Sequence, residues 1–251
     1  MTPVRPLDDP ALAVLHRVAD EVAAVLRSVT DWGQSGVRAG QYLADVAVDD
    51  VAINVLLDAG FAVLSEESGR TGDGDRIVVL DPLDGSTNAS RGIPWFATSM
   101  CVVDGDGPAV ALVANQASGE RAAAVRGHGA WIDDRQLRTS GATALDGTVV
   151  ATNALSDEKW GWWQSRVLGA CALDLGLVAA GAFDAYIDLT TDQLGPWDYL
   201  GGVLLVTEAG GAVMDAFGRD LVALEHDDRR TPLAAASAEL LDVIVDRRRP
   251  G

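Results

Sequence analysis

Cysteine is almost missing from this 251-residue chain, which has only Cys101 and Cys171, both in apolar surroundings. Two such residues exclude a disulfide scaffold and a cysteine-rich zinc cluster, and predict buried free thiols in a reducing compartment. His16, His128 and His226 stand in no spacing that would complete a zinc site. Proline is scarce too, 9 residues beside 27 glycines and 48% apolar residues, a composition that folds and is not a disordered or fibrous one. Basic residues are outnumbered 19 to 37, giving a formal charge of −18. A nucleic-acid or anionic-membrane partner would have to overcome that field, so neither is expected. Long apolar runs are also lacking, since Asp174 and Asp184 interrupt the stretch 168–187 well short of a membrane span. The opening MTPVRPLDDP has no apolar secretory core, which makes the cytoplasm the expected location. No GxxxxGK[ST] loop, dinucleotide fingerprint, G-x-S-x-G elbow or HExxH is present.

What is present reads as alternating helices and strands. Leu12, Leu15, Val18, Val22, Val25 and Leu26 recur at helical spacing and predict a helix over 9–29, followed by a glycine-containing loop at 31–40. A second helix is expected over 45–58, a short strand at 61–64, a glycine-rich turn at 69–74 and a buried strand at 77–80. Segments 96–103, 109–115 and 121–126 read as an antiparallel meander that HGAWIDD continues, and 148–152 as another strand. Helical periodicity covers 168–181, a strand follows at 185–189, and Pro196 opens a helix to 208 that should turn Val203, Leu204 and Val206 inward. A last helix is placed near 232–243, with a solvated basic tail at 247–249. The pattern predicts a layered α/β fold, one unit over 1–251 divisible into lobes 1–143 and 144–251.

The segment IVVLDPLDGSTN, residues 77–88, carries the chemistry. Four apolar residues lead to Asp81 and Asp84 on either side of Pro82, then directly to Gly85, Ser86 and Thr87. Two carboxylates three residues apart can converge on hard divalent cations, and the glycine–hydroxyl run offers backbone N–H groups to an anion. A phosphate ester is itself anionic and repels hydroxide, so its hydrolysis needs cations that neutralise phosphoryl oxygens and acidify water. Magnesium takes oxygen ligands at about 2.0–2.1 Å, and two ions about 3.5–4 Å apart can share one carboxylate such as Asp81. Glu66 and Glu67 follow another short apolar stretch, and Asp198 opens the helix after Pro196; each alone also fits a surface acid or a helix cap.

DPLDGSTN at 81–88 resembles the first signature of the inositol monophosphatase family of magnesium-dependent, lithium-sensitive phosphatases, and the stretch 197–211, WDYLGGVLLVTEAGG, resembles its second. Glu66-Glu67-Ser68 is similar to the family's upstream acidic pair, and the stretches 166–181 and 183–186 to its R-x-x-G-[ST] helix segment. The resemblance implies an α-β-α-β-α sandwich, a homodimer, and hydrolysis of a small phosphomonoester by metal-activated water with two or three magnesium ions. It assigns Glu66, Asp81 and the Leu83 carbonyl to one ion, Asp81, Asp84 and Asp198 to a second, and Glu66 to a looser third. Asp45 would pair with the Ser86 hydroxyl and, with Glu66, orient the attacking water; the N–H groups of Gly85, Ser86 and Thr87 would receive phosphate. Substrate contacts fall to Arg166, Gly169, Ala170 and Asp192, with Arg166 either orienting Asp192 or standing near a second anionic group of the substrate.

Departures from the family pattern cluster around the substrate. Arg38 stands near its usual lysine, Tyr42 replaces a threonine, Ala170 a hydroxyl residue, and Thr191 the glutamate of inositol-preferring relatives. The short loop 153–165 carries Trp160, Trp162 and Trp163, either packing residues or a stacking wall for an aromatic substrate. Inositol monophosphate or a related polyol or sugar phosphate is the expected substrate class, with histidinol phosphate, adenosine 3′,5′-bisphosphate and fructose 1,6-bisphosphate open through relatives. A non-catalytic binding protein on the same fold is the reading from another class.

Overall fold

Asp9 begins the first helix, its carboxylate accepting the Ala11 N–H at 2.8 Å while Pro10, with no N–H to satisfy, fills the first turn. In this computed structural model, which describes residues 9–38 and 40–248, that helix is α1 (Pro10–Ser28) and the next is α2 (Leu43–Asp58). Their apolar stripes, Leu12, Leu15, Val18 and Val22 with Val48, Ala52 and Leu56, cover one face of a large sheet.

That sheet is built from β1 (Ala62–Ser65), β2 (Gly69–Thr71), β3 (Ile77–Asp84), β4 (Ala97–Asp104), β5 (Gly107–Asn115), β6 (Arg121–Val125), β7 (Gly129–Ile132) and β8 (Arg135–Gln136), with the short helix α3 (Ser86–Ser90) between β3 and β4. Its order is β2-β1-β3-β4-β5-β6-β7-β8, and β1 with β3 is its parallel pair. Side chains alternate across the pleat, so Val78, Leu80, Met100 and Val102 meet α1 and α2. Val79, Cys101, Val103, Ala111 and Val113 meet the helices of the next layer, α4 (Cys171–Ala179) and α5 (Pro196–Glu208). Both faces being covered, the strands read as apolar runs without clean alternation.

A second sheet closes over the other side of α4 and α5. It consists of β9 (Val149–Thr152), β10 (Gln164–Arg166), β11 (Ala185–Ile187), β12 (Ala212–Asp215) and β13 (Pro232–Ala235), in the order β10-β9-β11-β13-β12. Leu240, Leu241 and Ile244 of α6 (Ala238–Arg248) pack on Val150, Ile187 and Leu233 of its outer face. The result is the α-β-α-β-α sandwich. Its middle layer is buried on both sides, and a Cβ added at Gly202 of α5 would lie 2.4 Å from the Leu175 Cβ of α4. Gly202→Ala should therefore cost about 1–3 kcal/mol, read as a lower urea midpoint at an unchanged slope.

Several elements differ from the expectation. The buried strand runs on through Asp84, so both acids lie inside β3. Residues 69–71 are not simply a turn but pair with β1 as β2. The stretch 232–235 is a central strand, and the last helix begins at Ala238; a short apolar run buried on both faces carries no period to tell strand from helix. Helix α4 starts at Cys171, after Gly169 with φ 83° and an extended Ala170. Arg248 is half-buried and donates to the Asp188 and Thr190 carbonyls, whereas Arg249 of the basic tail and the first eight residues lie outside the described residues. Both thiols are free and buried. Among the described residues no helix is long and apolar enough to cross a membrane.

Candidate metal centre

Two strand ends deliver the acids of the large sheet. At the end of β1, Ser65 donates its hydroxyl to the buried Asp49 carboxylate and accepts the Glu67 N–H, while the Glu66 N–H bonds the Leu80 carbonyl of β3. This turn holds Glu66 beside β3. In β3 the pairing with β4 slips between Asp81, opposite Ser99, and Asp84, opposite Ala97. The slip is a bulge, centred on a proline that has no N–H to give the ladder. Asp81 Oδ1 accepts the Leu83 N–H at 2.9 Å and Thr98 donates to the Pro82 carbonyl at 3.0 Å, so the bulge is held from within. It brings Asp81, the Leu83 peptide and Asp84 to one end of the strand.

Helix starts deliver and hold the rest. Asp198 is the third residue of α5 and reaches back to the Gly195 N–H at 2.6 Å. Asp45 holds the same place in α2 and accepts the Tyr42 N–H at 2.7 Å. Asp84 Oδ2 accepts the Ala172 N–H at 2.8 Å, in the first turn of α4. Each start contributes the positive end of a helix dipole to a carboxylate.

Carboxylate oxygens of Glu66, Asp81 and Asp198 all lie within 4.8 Å of one another. Burial, then the charges of Asp198 and Glu67, push Glu66 up to about 8. Burial and then Asp84 push Asp198 to about 8, and burial with Asp174 and Glu66 nearby does the same to Asp84 against the bond from Ala172. Asp81 is raised well above its ordinary value by burial and by the Glu66, Asp84 and Asp198 charges together. Like charges this close, all presented by oxygen, suit hard divalent cations and no thiol- or imidazole-seeking metal. Asp45 adds a second sign of fit: its Oδ1 is buried with no hydrogen-bond partner among the described residues, and burial raises the group to about 6. The bond drawing Asp45 to Tyr42 leaves that oxygen free in place of the expected bond to Ser86.

Immediately after Asp84 the chain turns through Gly85, whose φ of 83° is the left-handed conformation that a side chain resists. A Cβ there would also stand 3.0 Å from the Trp95 carbonyl and 3.2 Å from both the Gly169 carbonyl and Ala170 Cβ. Ser86 and Thr87 begin α3, so their N–H groups have no partner within it. Asn88 fixes the turn by donating to the Trp95 and Leu168 carbonyls, 2.8 Å each, and the Tyr42 hydroxyl donates to Thr87 Oγ1 at 3.5 Å. Gly169 and Ala170 thus stand beside the turn.

Arg166 and Asp192 are not brought together. Arg166 is exposed at the edge strand β10 and, among the described residues, bonds Ser165 and Gln164. Asp192 is held by Arg219, 2.6 Å away, which also grips Asp215. Trp160 and Trp162 stack at 5.3 Å and pack with the second sheet and α6, which fits the packing reading; Trp163 alone of the three is exposed. Two contributors escaped the sequence reading, Asp49 and His226, and Arg38, noted there only for standing near the family's usual lysine, is a third. Arg38 pairs with Glu67 at 2.9 Å, and both Arg38 and His226 reach the Glu66 carbonyl at 3.0 Å. Their partners lie far along the chain, and no local spacing marks them.

This fold and its carboxylate shell are those of a metal-dependent phosphomonoesterase. A family model, the inositol monophosphatase family, matches residues 9–247. A fructose-1,6-bisphosphatase/inositol-1-monophosphatase of Archaeoglobus fulgidus is 32% identical over 244 residues, covering 92% of this chain and 94% of that protein. The Nus factor SuhB of Escherichia coli K12 is 35% identical over 193 residues, 68% of this chain and 71% of its own. The extragenic suppressor protein SuhB of Bartonella henselae superposes with a TM-score of 0.82 at 27% identity, over 97% of this chain and 100% of that one. The chain belongs to the inositol monophosphatase family.

Proposed function

We propose that this protein is a magnesium-dependent phosphatase of small polyol or sugar phosphates, inositol monophosphate or fructose 1,6-bisphosphate foremost, working as a cytoplasmic homodimer. The observation that carries the reading is the Glu66–Asp81–Asp198 cluster, with Asp84 of β3 leading directly into the Gly85–Thr87 turn. Glu66, Asp81, the Leu83 carbonyl, Asp84 and Asp198 are the groups to hold magnesium. Bound there, magnesium supplies charge neutralisation at the phosphoryl oxygens and a lowered pKa for coordinated water. The N–H groups of Gly85, Ser86 and Thr87 receive the phosphate oxygens and fix the ester for in-line displacement. Asp45, whose Oδ1 makes no hydrogen bond among the described residues and whose carboxyl burial raises to about 6, would be the group to accept a proton at the site. The Arg219 bond to Asp192 leaves that acid as a fixed wall rather than a mobile substrate contact.

The test is a panel of inositol 1-phosphate, fructose 1,6-bisphosphate, histidinol phosphate and adenosine 3′,5′-bisphosphate, with and without magnesium. Magnesium-dependent phosphate release, fastest with the polyol and sugar esters, is the expected result. Release from none of them, by protein that is folded and loaded with magnesium, would remove the catalytic reading. The likeness to a protein named as a Nus factor, together with Tyr42 and Ala170, favours a binding role on this fold as the second reading.

A further inference from the structure

The residues proposed to hold magnesium come from two distant parts of the chain: Glu66 from the end of β1, Asp198 from the start of α5. One side chain touches both segments. His226 Nε2 lies 3.0 Å from the Glu66 carbonyl oxygen, and because a carbonyl only accepts, Nε2 carries the hydrogen. The same imidazole lies 5.0 Å, centroid to centroid, from the ring of Trp197, the neighbour of Asp198. The loop that carries His226 is itself pinned to this region. Arg229 donates to the His226 carbonyl at 2.8 Å and lays its guanidinium 5.1 Å over Trp197. The Arg230 N–H bonds the Leu194 carbonyl just ahead of α5, and Tyr199 donates to Leu221 at the loop's other end.

We infer that His226 is a positioning residue, a strut that fixes the separation of Glu66 from Asp198 and so sets the affinity of the site for magnesium. Resting on the function proposed above, it adds a residue from outside every motif of the chain. Without the strut, the Glu66 turn keeps Arg38 on its carbonyl and Leu80 on its N–H, but loses its tie to α5. The carboxylates of the two segments would then have to be drawn together by the cation, at a cost in binding.

Magnesium titration by calorimetry, with the metal alone as probe, tests this. His226→Ala and His226→Phe should each weaken binding by about 10–100-fold, the range for groups that orient metal ligands. Phe keeps a ring against Trp197 without the donor, and His226→Gln, which keeps an N–H, should bind magnesium more tightly than His226→Phe. Turnover at saturating magnesium should stay within a few-fold of the unsubstituted protein, so the effect appears in the half-saturating magnesium concentration. If the unsubstituted protein binds magnesium and His226→Phe binds it equally well, the strut is refuted. If the unsubstituted protein binds none, the proposed function fails instead. Should His226→Ala not fold, the Phe and Gln variants decide.

Discussion

Asp81→Asn should lower turnover on the best ester of the panel by on the order of 10³-fold, and at the same time raise the unfolding temperature of the cation-free protein. The two effects have one cause. Asp81 is buried and faces the charges of Glu66, Asp84 and Asp198, all of which oppose its ionisation. Asparagine has the same shape and keeps an oxygen for the Leu83 N–H, so the bulge in β3 survives. What disappears is an acid whose ionisation the buried site opposes, at a cost to stability, and whose charge cations need. Asp198→Asn should behave alike, since its oxygen can still accept the Gly195 N–H. Thermal melts in a chelator and steady-state rates in magnesium, on the same preparations, measure both effects. Turnover like that of the unsubstituted protein would place Asp81 outside the reacting centre. A lower unfolding temperature would mean that the carboxylate is structural.

Stripped of divalent cations, the protein should lose stability as pH rises from about 5 to about 8, and magnesium should restore it most at the upper end. Glu66, Asp84 and Asp198 titrate near 8 when folded, whereas unfolded carboxyls titrate near ~4. Between those values the folded state holds protons that the unfolded state has released. Stability therefore falls with rising pH in that window, and the slope ends once the folded groups have ionised. Asp215 works in the opposite sense: its folded value is lowered to about 2 by bonds from Arg219 and from backbone N–H groups, which outweigh its burial. Its contribution is lost only as pH falls through that lower range, outside the window. Bound cations replace the protons, so the slope should flatten in magnesium. Calorimetric melts at pH 5, 6.5 and 8, in chelator and in magnesium, measure both. A cation-free stability that is flat or rises between pH 5 and 8 would show that these acids do not crowd one another.

The layered α/β pattern and the acids of β3 and α5 were legible in the chain for local reasons, and the sandwich through the family resemblance. β3 and α5 each set their acids within a few residues of a proline, a glycine and an apolar run, and that order survives folding unchanged. The family resemblance then placed Glu66 beside Asp81, which no spacing could do, because β1 and β3 meet only through parallel pairing. β13 was hidden because a strand buried on both faces has no period. The bulge was hidden because a proline at a strand end and a proline inside a bulged strand read alike. Arg166 beside Asp192 was one of two places the resemblance offered that arginine; in space Arg219, from the turn after β12, holds Asp192. His226 was set aside for lacking a zinc spacing, yet its place depends on a carbonyl 160 residues away.

The middle helical layer has a consequence for how the chain is made. The eight strands of the large sheet are complete at Gln136, and they already hold Glu66, Asp81 and Asp84. Their inner face, with Val79, Cys101, Val103, Ala111 and Val113, is covered in full only when α4 and then α5, which ends at Glu208, have been added. For the interval in which a ribosome adds those residues, the nascent protein is half a sandwich with a wet apolar face and a cluster of acids lacking Asp198. Fragments that stop between β8 and α5 should therefore be sticky, and a chaperone that covers apolar sheet surface is the natural attendant of that interval.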